Sequence, residues 1–97
     1  DPLEQLAQQW QDFDGCPLAL NEDKPRGQML IDMTKKYNAD AVVICMMRFC
    51  DPEEFDYPIY KPEFEAAGVR YTVLDLDIES PSLEQLRTRI QAFSEIL

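Results

Sequence analysis

The chain has 97 residues, 45% of them apolar and 29% charged, and a net charge of −10. That is the composition of one ordinary globular domain, long enough to fold around a core without staples. The acidic balance argues against nucleic acid and against an anionic membrane surface as partners. No run approaches the roughly 18 apolar residues that a membrane-spanning helix needs.

The sequence opens Asp1-Pro2 with no initiator Met and no signal-peptide pattern, as expected of a piece of something longer. Asp1-Pro2-Leu3 predicts a capped helix with Pro in its first turn. Its apolar stripe is Leu3, Leu6, Ala7, Trp10 and Phe13, with Gly15 as a stop. Cys16-Pro17-Leu18-Ala19-Leu20 predicts a short strand that Pro17 confines to an edge or to its first residues. The polar connector Asn21-Glu22-Asp23-Lys24-Pro25 launches a second helix to Tyr37, with Met29, Leu30, Met33 and Tyr37 on one face. Asn38 suits the left-handed residue that ends such a helix.

The apolar run from Ala41 to Met46 predicts a parallel strand covered on both faces. Asp51-x-x-Glu54 resembles a capping box, and Pro58 and Pro62 predict a short turn followed by a helix rather than one rod. Gly68 closes that region, and Val69 to Leu76 predicts another strand. Ser80-Pro81-Ser82 then caps a last helix, with Ser82-x-x-Gln85 as a second box and the stripe Leu83, Leu86, Ile90, Phe93 and Leu97. Helices alternating with strands over short connections predict an α/β class domain over residues 1–97. The expected form is a small parallel sheet of two to three strands with helices on both faces, a flavodoxin-like or Rossmann-like part-domain.

Chemistry is sparse. Cys16, Cys45 and Cys50 form no Cys-x-x-Cys pair and the chain has no His, which excludes a self-contained zinc site and a His general base. Three glycines leave no Rossmann fingerprint and no Walker loop. Asp75, Asp77 and Glu79 alternate as the polar side of a tapering strand does, so a hard-cation site is not expected there. The odd cysteine count points to a reducing cytoplasm. Cys45, inside a buried strand, and Cys16, before a proline, read as structural; Phe49, Phe55 and Tyr57 read as packing residues.

Cys50 is the main candidate. It follows a buried strand at the carboxyl end of the sheet, where ligands collect in open α/β folds, and precedes a helix start, which favours thiolate. By itself, a buried Cys reads by default as a small core hydrophobe. Arg48 is either a solvated charge at the strand end or a partner for an acidic group or a phosphate.

Arg48-Phe49-Cys50-Asp51-Pro52, followed by Phe55 and Tyr57-Pro58, resembles the iron–sulfur subunits of the 2-hydroxyacyl-CoA dehydratases, relatives of the benzoyl-CoA reductases. Ala39 to Ile44, Glu65 to Val69 and Leu86 to Phe93 extend the resemblance, which covers Leu20 to Leu97. Ala41, where the family usually has Gly, and Pro62 are departures from its pattern.

The resemblance implies the C-terminal domain of a longer subunit, with Cys50 as the last cysteine ligand of a [4Fe–4S] cluster and Arg48 in the neighbourhood of cluster or substrate. The other ligands would come from an upstream part of the subunit, so the isolated chain should carry no cofactor and be inactive. The implied partners are the rest of the subunit, a homologous companion subunit, an acyl-CoA substrate and an ATP-dependent iron–sulfur activator protein that injects one electron. The implied reaction is radical dehydration of an (R)-2-hydroxyacyl-CoA to an enoyl-CoA. Benzoyl-CoA reductase-type and double-cubane reductase chemistries share this domain. A non-catalytic acidic α/β interaction module, with Cys50 only a core thiol, stands as the alternative.

Overall fold

The computed structural model describes residues 1–13, 15–16, 22–77, 79 and 82–97. Its elements are α1 (Pro2–Gln11), α2 (Arg26–Tyr37), β1 (Val42–Met47), α3 (Asp51–Ala67), β2 (Tyr71–Leu76) and α4 (Leu83–Ser94). The strand expected after Cys16 falls outside the described residues, as do Asn21, Ser80 and Pro81.

Local signals set most boundaries. Asp1 caps α1 by accepting a hydrogen bond from the Leu3 amide at 3.0 Å. Asn38 ends α2 and Gly68 ends α3, both in the left-handed conformation, with φ of 50° and 69°. α1 stops earlier than Gly15 suggests, at the C-cap Asp12.

β1 and β2 pair in parallel, in register from Val42–Tyr71 to Met47–Leu76, with α3 as the crossover between them. This is a small α/β fold with a two-stranded parallel sheet. α2 and α3 pack together on one face, where Ile31, Ile44, Met46, Tyr60 and Phe64 form the buried cluster. Side-chain alternation puts buried Leu74 on the other face, and α4 lies against β2. No helix among the described residues is long and apolar enough to cross a membrane.

Several sequence expectations fail, each for a local reason. β1 is well covered on one face only: Val43 is 45% exposed and Cys45 is exposed, because α4 packs chiefly against β2. Cys45 is therefore no core thiol. α2 buries Gly27 and Ile31 rather than the methionine stripe, leaving Met33 and Tyr37 exposed. A Cβ at Gly27 would lie 2.7 Å from Tyr60 Cβ, so the hydrogen side chain sets how closely α2 meets α3. α3 is one continuous helix through Pro58 and Pro62, both exposed, so the carbonyls that lose their amide donors sit on its open side. Neither expected capping box forms: Cys50 and Ser82 are the N-caps of α3 and α4, and neither side chain makes a capping hydrogen bond. The stripes of α1 and α4 stay largely open, with Leu3, Trp10 and Leu83 more than 70% exposed.

Phe64 is fully buried, touching Tyr60 and Tyr71 through tilted ring contacts with centroids 5.4 Å apart. Phe64→Ala should cost about 3–5 kcal/mol in urea unfolding, the range for deleting a buried aromatic. A loss below about 1 kcal/mol would contradict this packing.

Burial raises the pKa of Tyr60. Burial, aided by hydrogen bonding to Tyr57 and Glu65, pushes that of Tyr71 up to about 12. These folded values lie above the unfolded value near 10, so the neutral phenols' contribution to stability is complete below about pH 10. It is lost as pH rises from there through about 12. Phenolate absorbance should therefore keep rising above pH 10, with unfolding alongside. A change already complete near pH 10 in a still-folded chain would refute the assignment.

Candidate functional site at the carboxyl end of the sheet

The turn from β1 into α3 carries Arg48, Phe49 and Cys50. The Arg48 amide donates to the Leu76 carbonyl at 2.9 Å, extending the β1–β2 pairing past the strand end. Phe49 then takes φ of 66°, an uncommon conformation for a bulky residue, and the chain reverses. The Cys50 amide closes this turn on the Met47 carbonyl at 3.1 Å. The Cys50 carbonyl accepts from the amides of Glu53 and Glu54 at 3.1 and 3.0 Å. The half-buried Cys50 thiol is thus carried on a fixed backbone, free of any disulfide. Phe49 is 91% exposed and Phe55 74%, so neither is the packing residue expected; Tyr57 is, against Tyr60 and Tyr71.

α2 holds the first turns of α3 in place. Arg26 Nη2 meets Glu53 Oε1 at 2.9 Å, with side chains 20% and 11% exposed. Lys24 Nζ meets Asp56 Oδ1 at 3.1 Å. The guanidinium also lies over the Tyr60 ring, 5.5 Å from its centroid. Glu53 sits three residues after the N-cap, yet its carboxylate turns to Arg26 instead of back to the cap.

Arg48 points the other way, to Asp77 Oδ2 at 3.7 Å. It lines a cleft of about 600 Å³ between the end of β2 and α4, along with Asp75, Asp77, Glu84 and Arg89. Arg89 is in turn paired with Asp75 at 3.7 Å. Three carboxylates thus face two engaged guanidinium groups, which makes the cleft a poor phosphate site and gives Arg48 an acidic partner instead. Among the described residues no three His, Cys, Asp or Glu side chains group as a metal site. Cys50 places one free cysteine side chain at this end of the sheet.

The family model for the 2-hydroxyglutaryl-CoA dehydratase D-component matches residues 1–97. The chain belongs to the 2-hydroxyglutaryl-CoA dehydratase D-component family. It is 49% identical over 96 residues to the lactoyl-CoA dehydratase subunit beta of Anaerotignum propionicum, an alignment covering 99% of this chain and 26% of that protein. It is 42% identical over 96 residues to the (R)-phenyllactyl-CoA dehydratase beta subunit of Clostridium sporogenes, covering 99% of this chain and 25% of the relative. To the (R)-2-hydroxyglutaryl-CoA dehydratase subunit beta of Acidaminococcus fermentans it is 31% identical over 72 residues, 74% of this chain and 19% of the other. The chain thus spans about a quarter of the length of the first two relatives.

For this member of the dehydratase family, the structure puts Cys50 and Arg48 on one turn but aims them at different neighbours. The clamp of Lys24 and Arg26 on Asp56 and Glu53 was not read from the sequence, because nothing in the spacing links residues 27 or more apart. Arg26→Met should destabilise by about 3–5 kcal/mol, since it strands a buried carboxylate, and adding Glu53→Leu should restore most of the loss. Equal losses for the single and double variants in urea titration would show that the ion pair does not hold these helices.

Proposed function

We propose that this chain is part of a subunit of a 2-hydroxyacyl-CoA dehydratase, which removes water from an (R)-2-hydroxyacyl-CoA to give an enoyl-CoA. The observation that carries the reading is the family match along all 97 residues. The relatives named above are all called dehydratase beta subunits, which favours dehydration over the ring-reducing chemistry of benzoyl-CoA reductase type. Their names carry three different acyl groups, so acyl selectivity is expected to lie mainly outside this segment.

We further propose that Cys50 is one thiolate ligand of a [4Fe–4S] cluster. Its half-buried, disulfide-free thiol at the ligand-collecting end of a parallel sheet fits such a role. A cluster of this kind is normally held by several thiolates, so the remaining ligands must come from outside the described residues. When bound, the group supplies one-electron chemistry. In this reading the chain's own residues hold and orient. The Arg26–Glu53 clamp fixes the turn bearing Cys50, and Arg48, paired with Asp77, ties that turn to the end of β2. The partners of the proposal are the rest of the subunit, a companion subunit, an ATP-dependent activator protein and an acyl-CoA. Three free cysteines suit a reducing compartment such as the cytoplasm.

Anaerobic reconstitution of the full-length subunit with iron and sulfide tests the ligand. The wild type should take up about four irons for a cubane, and Cys50→Ser should lose them or hold them far less stably. Equal iron in both proteins would remove Cys50 from the ligand set.

A further inference from the structure

α3 is packed on one face and apolar on the other. Its inner face buries Glu53, Asp56, Tyr60 and Phe64. On the opposite side Phe55, Pro58, Ile59 and Pro62 recur at i, i+3, i+4 and i+7, within an arc of about 100° at helical spacing. All four are exposed, Phe55 at 74% and Ile59 at 46%. No charged side chain falls within the stripe from Phe55 to Pro62; Asp51 lies one turn before it, and Glu54, Lys61 and Glu65 run along one edge. An outer helix of a small α/β domain normally shows water a polar face, and an apolar stripe on the side turned away from the core is the mark of a surface that is covered. The stripe also carries unmet backbone valence: Pro58 and Pro62 have no amide hydrogen, so the carbonyls of Glu54 and Pro58 lack their usual i+4 donors.

The stripe begins where Cys50 sits. Phe49, 91% exposed in a left-handed conformation, stands immediately before Cys50, and Phe55 is one turn beyond it. Resting on the proposal that Cys50 is a cluster ligand, the body that brings the other thiolates has to reach this mouth. About three quarters of each beta-subunit relative lies outside the matched segment, enough for a further body of the same polypeptide.

We infer that the outer face of α3, headed by Phe49, is the seat on which another part of the same subunit docks, the part that supplies the remaining cluster ligands. The contact chemistry is defined: an apolar surface to cover Phe55 and Ile59, with one or two hydrogen-bond donors for the Glu54 and Pro58 carbonyls.

The test is cysteine accessibility in the full-length subunit. Ile59→Cys on the stripe and Lys35→Cys on the exposed side of α2 would be alkylated with iodoacetamide and followed by peptide mass mapping, with and without the companion subunit. The inference expects Ile59→Cys to react about tenfold or more slowly than Lys35→Cys in the subunit alone, because only opening of the seat would expose it. Equal rates in the subunit alone would overturn it. Protection that appears only when the companion subunit is added would also overturn it and assign the surface to that partner. The readout needs no iron. A Cys50→Ser variant that keeps its cluster would therefore sink the ligand proposal while leaving this result to be judged separately.

Discussion

Two carboxylates on the buried side of α3 impose the constraint from which most of the architecture follows. Glu53 and Asp56 are 8% and 7% exposed, in a chain that already carries ten excess negative charges. Burying an unpaired carboxylate costs several kcal/mol or more, so each needs a partner. Lys24 and Arg26 meet them, and Lys24 adopts φ of 44° in the turn that delivers both cations. Once Arg26 is committed to Glu53, the rotation of α2 about its axis is set. Gly27 and Ile31 must face α3, and the larger Met33 and Tyr37 turn away.

That choice explains which features were legible in the sequence. Boundary signals are local, and several hold: the Asp1 cap, and Asn38 and Gly68 as helix ends, with β1 and β2 as the expected parallel pair. Facing is a tertiary property, and there the periodicity misleads. Met29, Met33 and Tyr37 make the longer stripe at helical spacing, yet an ion pair and a close helix approach at Gly27 decide which side faces α3. The continuous α3 was hidden for a related reason. Two prolines argue against a helix interior only where the freed carbonyls have nowhere to turn, and here both lie on the open side.

The candidate site divides in the same way. The position of Cys50, after a strand and at a helix start, is written in consecutive residues. The partner of Arg48 is not, because Asp77 belongs to the far end of the neighbouring strand and reaches it only through parallel pairing. The expectation that Cys45 would be buried assumed a sheet covered on both faces. Within the described residues the second face is covered chiefly beside β2.

α3 therefore serves three surfaces at once. Its inner face carries the paired carboxylates and the aromatic core, its N-terminus presents Cys50, and its outer face is apolar. Prolines at positions 58 and 62 weaken the helix as a free element, since each removes one internal hydrogen bond. They suit a docking face better than leucines would. A proline ring loses almost no side-chain entropy on burial, where a longer side chain gives up roughly 0.5–1 kcal/mol or more. Each also leaves a backbone carbonyl free to accept from whatever covers it. A helix built only for its own stability would avoid such residues, whereas a helix completed by a neighbour can use them, because the neighbour supplies both the missing donors and the burial.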